Sequence, residues 1–592
     1  MKVLLTTLNS KFVHTNLAIR YLRNTLASLD CEVLMDEFTI NQSTEVIVSE
    51  LYDYQADIIC FSTYIWNIDY QLEVAKMIKL VQPQTKILFG GPEVSYDAKT
   101  FMEAHPFIDF IIKGEGERTI KAFVEEAMSA APAFEQVEGL VYREGQRVME
   151  NANRELIHDL DEIPFPYNDE ELPDFKNKII YYEASRGCPF NCAFCLSSTI
   201  KGVRFFSLDR VKKDLKKLLE ANVKQIKFVD RTFNARKEYS LEIMKFIRAN
   251  HNGMTNVHLE ITAHLIDQEY IDFLRDCPEG LFQFEIGVQS THEATIKSIN
   301  RTTNFEKLSA VIQNIKGTKK VHQHLDLIAG LPYENYERFG LSFDDVYQLR
   351  PEKIQLGFLK LLKGSQLREE EAIHEYKYLD KPVYEVFENK YMSYSEFKKL
   401  KVIDHLVDVY YNEGRFDKTL QYLLADLNWR PFTFFEKFAA YWTEKDYHKC
   451  SLGLEKLYEV LWEASLEWYQ SEQPIIKECL KYDYLRQQKN VKGQFLKLRD
   501  DLAFNQSKHS LLQNQDFIQA HLPQYKDLPA KKVYNFVTIE SFKYDILKKE
   551  VNKLSQEEIE KIYLFSYNDN PLSFEKSEVI DVTHWMDDKV EE

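Results

Sequence analysis

The chain has 592 residues, too many for one hydrophobic core, and its length suggests three or four domains. Its net charge of −18, from 75 basic against 93 acidic side chains, argues against a protein held to nucleic acid mainly by electrostatics. No stretch approaches the ~20 apolar residues of a membrane span, and the apolar run of MKVLLTTLNS is too short for a secretion signal, so the cytoplasm is the expected compartment.

Residues 1 to about 130 alternate strand-like and helical runs. KVLLTTL, CEVLMDEF, ADIICFSTY, KILFGG and FIDFIIKGEGE read as strands. LAIRYLRNTLASL, VIVSELYDY and LEVAKMIKLV, between them, have helical spacing. That alternation predicts a parallel sheet covered on both faces, with its ligand in the loops after the strands. Those loops hold Asn9 to Asn16, Ser62-Thr63-Tyr64, Gly90-Gly91-Pro92-Glu93 and Gly114-Glu115-Gly116-Glu117. Glycine permits close backbone approach to a flat or phosphorylated ligand, and hydroxyls supply short hydrogen bonds. Any doubly wound domain has glycine turns, so this feature alone is weak.

Residues 131–177 read as a connector. A small hairpin is expected around Glu144-Gly145, and DLDEIPFPYNDEELPDF, with three prolines, is expected to drape over the surface as an extended link.

The next stretch, YYEASRGCPFNCAFCLSS, sets Cys188, Cys192 and Cys195 as C-x₃-C-x₂-C. Three thiolates so close can wrap one iron–sulfur cluster, since iron in such clusters favours soft sulfur ligands. A four-iron cubane held by three cysteines leaves one iron open, which is the logic of a reactive site. Zinc sites usually carry a fourth ligand at matched spacing, and no C-x₂-C or H-x₃-H partner follows. The other five cysteines, Cys31, Cys60, Cys277, Cys450 and Cys479, are scattered and read as single buried thiols in a reducing compartment.

From Lys178 to Leu367 strand–helix pairs recur: IIYYEAS, QIKFVDRTF, VHLEITA, LFQFEIGVQS, HQHLDLIAGLP and KIQLGFLKLL supply six strands. Six parallel strands make a partial barrel, with chemistry expected at their carboxyl ends. Asp230 and Asn234 follow the second strand, Glu260 lies in the third and Glu285 in the fourth, which ends at Gln289-Ser290. Arg301 lies just beyond, and Gly330 closes the fifth strand, where alternation puts His322, His324, Asp326 and Ile328 on one face. A single such carboxylate is more often a helix cap or a surface charge; several at successive strand ends, in phase with the cluster loop, shift the balance toward a site.

Residues 369–592 read as mainly helical. Aromatic and leucine side chains in FFEKFAAYWTEKDYHKCSLGLEKLYEVLWEASLEWY recur at spacings of three and four, the pattern of helices packing on one another. KKVYNFVTIES and EKIYLFSYND look like two short strands around a helix, and the acidic tail DDKVEE is expected to fray.

The cysteine motif, with the aromatic Phe194 before its third cysteine, resembles the signature of the radical S-adenosylmethionine (SAM) superfamily. With a doubly wound domain ahead of it, the chain resembles the cobalamin-dependent branch of that superfamily. The resemblance implies an α/β protein in four parts. These are a Rossmann-like cobalamin-binding domain over 1–130, the connector 131–177, a partial (β/α)6 radical SAM barrel over 178–368, and a mostly α-helical C-terminal domain. It implies a [4Fe-4S] cluster on Cys188, Cys192 and Cys195. SAM would rest against Asp230, Asn234, Glu260, Glu285, Gln289, Ser290, Arg301, Ile328 and Gly330. Cobalamin would rest against Ser62, Gly90, Gly91, Glu93, Gly114 and Gly116. The chain departs from the family in two places. FVDRTFN replaces the common glycine-glycine-glutamate turn, and His14 lacks the D-x-H-x-x-G setting of an axial cobalamin ligand. The implied reaction is methylation of an unactivated carbon, fed by a flavodoxin- or ferredoxin-type electron donor. The substrate is expected to be a small molecule, lipid or peptide, with nucleic acid disfavoured by the net charge. A cobalamin-dependent rearrangement, cyclisation or oxidation, an N-terminal domain that binds no corrin, and a non-catalytic iron–sulfur sensor or scaffold are the alternatives.

Overall fold

Alternation along the first strand decides the architecture of the N-terminal region. In β1 (Lys2–Asn9), Val3 and Leu5 point into one core while Leu4 and Leu8 point into another. Both cores are needed because helices cover both faces. Leu17–Leu26 and Glu117–Met128 supply Ile19, Leu26, Ile120 and Phe123 to the first core. Thr44–Asp53 and Ile68–Val81 supply Ile47, Leu51, Val74 and Ile78 to the second. This is the doubly wound sheet that the sequence predicts. Asn16 and Ser43 accept backbone N–H groups at the starts of two of these helices, fixing where the loops end.

The computed structural model describes residues 1–426, 428–469, 473–489, 496–547, 559–567, 572–573 and 576–587. They divide into two units. The first takes Met1–Val321, Ile328–Asn335 and Gly357–Ser393, and the second takes His322–Leu327, Tyr336–Leu356 and the chain from Tyr394 onward.

In the first unit, β1 pairs in parallel with β2 (Glu32–Thr39) and β3 (Ile58–Ser62), and β4 (Lys86–Gly90) and β5 (Phe110–Ile112) follow in parallel. The predicted hairpin forms as β6 (Leu140–Glu144) and β7 (Arg147–Glu150), and it adds to the same sheet antiparallel to β5. The acidic link after it is extended, with short 3-10 turns, but does not merely drape. Ile157, Leu160, Ile163, Tyr167 and Phe175 are buried, because the apolar residues spaced among its acids turn inward.

The barrel strands are β8 (Ile179–Tyr182), β11 (Gln225–Phe228), β12 (Asn256–Ile261), β13 (Phe282–Gln289), β14 (Val321–Ala329) and β15 (Lys353–Phe358). They stand in the order β15-β14-β13-β12-β11-β8. β9 (Ser185–Cys188) and β10 (Gly202–Phe205) form a separate antiparallel pair, and β16 (Lys377–Tyr378) and β17 (Val386–Glu388) form another. The first loop of the N-terminal sheet meets β8 directly, where Ile179 N–H donates to Val13 O at 2.8 Å.

The second unit is mostly helical, as expected. Tyr410, Phe416, Phe438, Trp442 and Tyr458 form a buried aromatic core, with Phe416 and Tyr458 rings 4.3 Å apart. The two predicted terminal strands are β18 (Val537–Phe542) and β19 (Lys561–Tyr567). A third, β20 (Ser577–Asp581), completes an antiparallel sheet. The helix expected between the first two and the tail DDKVEE lie outside, or almost wholly outside, the described residues. Cys60, Cys277 and Cys479 are buried as predicted, but Cys31 is half-buried and Cys450 is exposed. No helix among the described residues is long and apolar enough to cross a membrane.

Candidate cluster and cofactor site

The three-cysteine loop starts from the β9–β10 pair. Gly187 has φ +101°, and a β-carbon there would stand 2.2 Å from Gly202 O, so only glycine lets the strands close beside Cys188. Cys188, Cys192 and Cys195 are all half-buried, and none of the three is in a disulfide. Cys188 Sγ lies 3.6 Å from Thr232 Oγ1, and Cys192 Sγ lies 3.8 Å from Arg301 Nη1. Burial raises the pKa of the Cys192 thiol, the Arg301 guanidinium opposes that, and negative charge on Cys195 and Cys188 raises it further. The three sulfurs thus share one electrostatic site. Ala193 between them is tied at both ends: its N–H donates to Ile299 O at 3.2 Å and its carbonyl accepts from Leu367 N–H at 3.0 Å. Three soft donors on a fixed, partly open loop with one cation beside them fit an iron–sulfur cluster.

The barrel-end residues fall into three small groups. Asp230, 2% exposed, accepts from Ala184 N–H at 2.9 Å and Ser185 O–H at 2.5 Å, and burial pushes its carboxyl up to about 7. Asn234 bridges to the next loop, donating to Thr262 O at 3.0 Å and accepting from Thr262 N–H at 2.9 Å. Both residues therefore hold backbone at the strand ends.

Glu260 stands opposite Glu285 in the β12–β13 register. Glu285 meets His258 Nε2 at 2.8 Å and Lys227 Nζ at 3.3 Å. On β14, His324 Nε2 lies 3.0 Å from Asp326 Oδ1, and Ile328 is half-buried.

Gln289 and Arg301 come together around Gly287, which sequence reasoning passed over. A β-carbon on Gly287 would stand 2.2 Å from Gln289 Nε2 and 3.9 Å from Arg301 Nη1. Arg301 Nη2 also donates to Gly287 O at 2.8 Å. Ser290 Oγ donates to Glu334 at 2.6 Å, a partner the sequence reading did not name. Gly330, at φ +95°, has its carbonyl taken by Asn389 Nδ2 at 2.8 Å.

The N-terminal loops line up as the strand order dictates. The Ser62 carbonyl collects Thr7 O–H and the Asn67 and Gln71 amides, which fixes the end of β3. Gly91, at φ +118°, has room for no β-carbon, which would lie 2.4 Å from Thr63 O. Gly114, at φ +70°, faces open space, while a β-carbon on Gly116 would sit 3.3 Å from Leu22. Gly90 is uncrowded, its nearest neighbour being Ile112 O at 3.7 Å. Tyr64 and Trp66 stack at 4.4 Å and 7°, with Trp66 still 41% exposed. Bare glycine backbone at Gly90 and Gly114 and this aromatic plane fit a flat, amide-fringed macrocycle. His14 is engaged elsewhere, its Nδ1 lying 2.8 Å from Tyr181 O–H.

Glu93 is 4% exposed, and its carboxylate accepts from Tyr384 O–H and lies 3.6 Å from Lys363 Nζ. Burial raises its pKa, while Tyr384 and Lys363 oppose the rise. Glu115 points the other way, toward the cluster hairpin. It meets Arg204 at 2.7 Å and Arg186 at 3.4 Å and accepts from Ile157 N–H at 2.8 Å. Burial acts to raise the Glu115 carboxyl, but Arg204, the Ile157 N–H and Arg186 outweigh it and hold it below the ordinary range. Arg186 further joins Glu117 at 2.5 Å and Glu183 at 2.7 Å. Arg186, Arg204 and Tyr384 were missed in the sequence. The only cue was an arginine two places before the first cluster cysteine.

A three-cysteine loop at the carboxyl end of a partial parallel barrel defines the radical SAM class. The family models agree: residues 3–124 match the B12 binding domain, 182–346 the Radical SAM superfamily, and 372–565 a "Protein of unknown function (DUF4080)". The chain thus joins a B12 binding domain to a radical SAM domain.

A 2-(S-pantetheinyl)-carbapenam-3-carboxylate methyltransferase of Streptantibioticus cattleyicolor is 26% identical over 301 residues, covering 48% of this chain and 44% of that protein. The cobalamin-dependent radical SAM methyltransferase TokK of Streptomyces tokunonensis is 24% identical over 342 residues, covering 54% and 49%. The chain thus spans about half the length of these curated relatives. The cobalamin-dependent SAM radical enzyme OxsB, solved with aqua-cobalamin bound, shares the fold at a TM-score of 0.57 and 15% identity, over 82% of this chain and 79% of that one.

Proposed function

We propose that this protein is a radical SAM enzyme that uses cobalamin to methylate an unactivated carbon. The observation that carries the reading is the join between Glu115, in a loop of the B12-binding domain, and Arg186, two residues before Cys188. That join holds the two proposed cofactor loops in one half-buried ionic network. When bound, SAM at the cluster supplies a hydrogen-abstracting radical and the corrin supplies a transferable methyl group.

The chain's own residues divide the remaining work. Cys188, Cys192 and Cys195 hold the cluster, and Arg301 sets a positive charge beside Cys192. Asp230 and Asn234 fix strand ends beside which SAM would rest, Gln289 and Ser290 stand at the β13 end, and Glu260 and Glu285, opposite each other on β12 and β13, with Ile328 on β14 would complete its surroundings. Gly330 shapes the turn at the end of β14. Gly90, Gly91, Gly114 and Gly116 with Ser62 admit the corrin. Glu93 braces the corrin loop through Tyr384. Enclosure matters because a primary carbon radical must be kept from water.

The substrate is read as a small molecule, lipid or peptide, the electron donor as a flavodoxin or ferredoxin, and the compartment as the reducing cytoplasm that cysteines outside disulfides suit. The experiment is anaerobic reconstitution with iron, sulfide and hydroxocobalamin, then reduction in the presence of SAM. Deoxyadenosine should form in the wild type and vanish in Cys192→Ala. S-adenosylhomocysteine should accompany it when substrate is methylated. Deoxyadenosine without S-adenosylhomocysteine in the presence of turned-over substrate would replace methylation by a rearrangement, cyclisation or oxidation. Protein that takes up no iron would end the reading.

A further inference from the structure

The segment Gly357–Ser393 touches each of the three loops on which the proposed cofactors rest. Leu367 N–H donates to Ala193 O at 3.0 Å, inside the cysteine motif. Asn389 Nδ2 donates to Gly330 O at 2.8 Å, at the end of β14. Tyr384 O–H donates to Glu93, in the loop after β4, and Lys363 Nζ lies 3.0 Å from Asp97 just beyond. Apart from the more exposed Lys363–Asp97 pair, these contacts are buried: Tyr384 is 2% exposed, Glu93 4% and Asn389 7%.

The segment is also tied to itself. Leu361 N–H donates to Tyr384 O at 3.0 Å, and Val386 N–H donates to Leu359 O at 2.9 Å. Arg368 donates to Leu361 O at 2.9 Å while its guanidinium lies 4.7 Å from the Tyr384 ring. Asn389 is held in turn, its Oδ1 accepting from Tyr391 and Met392 N–H at 2.9 Å each. Three loops fastened to one internally bonded piece do not settle independently. A ligand that orders one of them leaves less ordering for the next ligand to accomplish.

We propose, resting on the functional reading above, that Tyr384 and Asn389 are positioning residues through which corrin binding at the N-terminal sheet and SAM binding at the barrel strengthen one another. Tyr384 fixes the corrin loop, Asn389 fixes the SAM-side turn, and the backbone from 359 to 389 carries the coupling.

The test measures hydroxocobalamin affinity by absorbance titration of the cluster-reconstituted full chain, with and without saturating SAM. It is run on the wild type, Tyr384→Phe and Asn389→Ser. In the wild type SAM should tighten cobalamin by about fivefold or more, the lower end of ordinary coupling between sites. In each variant the ratio should fall below about twofold while both ligands still bind, which a purely structural role would not produce. A ratio unchanged from wild type in the variants overturns the proposal, as does a wild type that binds cobalamin with a ratio of one. Should Tyr384→Phe fail to fold, Asn389→Ser carries the same measurement alone. A wild type that binds no hydroxocobalamin overturns the functional reading itself, and this inference with it.

Discussion

Arg301 Nη1 lies 3.8 Å from Cys192 Sγ, while its other terminal nitrogen is fixed by the Gly287 carbonyl at 2.8 Å. A guanidinium held in that way keeps a positive charge beside one ligand of the proposed cluster. Reduction adds negative charge, so a neighbouring cation favours the reduced state, and donors to cluster sulfurs raise the potential. Arg301→Gln should therefore make the cluster harder to reduce, by on the order of 50 mV, equivalent to roughly 1.2 kcal/mol for one electron. Redox titration followed by electron paramagnetic resonance measures this directly. A potential that stays put or becomes more positive would remove Arg301 from the role.

Glu115 is held by two arginines and a backbone N–H. Its side chain is 14% exposed and faces Arg204 and Arg186, at 15% and 14%. Arg186 keeps Glu117 and Glu183 if Glu115 is neutralised, whereas Arg204 shows no other ionic partner among the described residues. Breaking a buried pair from one side strands the other charge, which typically costs about 3 kcal/mol or more. Glu115→Gln should lose about that much, and Glu115→Gln with Arg204→Gln should lose less than the two singles summed, by at least about 1 kcal/mol. Hydrogen exchange over residues 1–130 and 185–205 locates the loss. Additive single variants would show that the contact carries no coupling.

Much of this was legible in the sequence because it is local. Short apolar runs exposed β1, β3 and β4, and the spacing of Cys188, Cys192 and Cys195 announced a soft-metal site without any tertiary information. What escaped was pairing across long separations. Glu93 was visible as a loop acid, but its partner Tyr384 stands 291 positions later and carries no local signal. Asp230 was visible at a strand end, but its partner Ser185 lies on another element 45 positions before it. The third terminal strand, Ser577–Asp581, escaped because SEVID mixes charged and apolar residues without the apolar run that marks β19. Gly287 escaped because a glycine inside a strand announces itself only when the neighbouring side chains, here Gln289 and Arg301, are known.

Asp230 gives the fold a pH dependence of definite sign. Its carboxyl is raised by burial from 3.8 to about 7, against the opposing hydrogen bonds from Ser185 and Ala184. The folded state therefore holds a proton there that the unfolded chain has already released. The stability linked to this group is full below about 4 and is lost as pH climbs through about 7. Asp230→Asn removes that titration while still offering an oxygen to Ala184 N–H and an amide to Ser185. The unfolding midpoint of the wild type should fall more steeply than that of the variant between about pH 4 and 7. Asp483 in the second unit, also raised to about 7 by burial, keeps its own slope of the same sign in both proteins. Equal slopes in the two proteins would show that Asp230 does not titrate in this range.

Two glycines of the proposed corrin face differ in what a methyl group would meet, and the difference separates folding from binding. At Gly91 the backbone sits at φ +118° and a β-carbon would lie 2.4 Å from Thr63 O and 3.0 Å from Thr63 N. Both atoms belong to backbone, so neither can swing aside. Gly91→Ala should cost about 3 kcal/mol or more, from a forbidden dihedral and a clash together. At Gly114, φ is +70° and nothing lies within 4 Å of the added carbon, so alanine there bears only the left-handed backbone cost of about 1 kcal/mol. Gly114→Ala should therefore fold nearly as well as the wild type, yet bind hydroxocobalamin less tightly if its open side is where the macrocycle rests. Gly91→Ala should lower both the unfolding midpoint and the retained corrin. Measuring the two quantities side by side decides the matter: unchanged cobalamin affinity in a well-folded Gly114→Ala protein would move the corrin away from this loop.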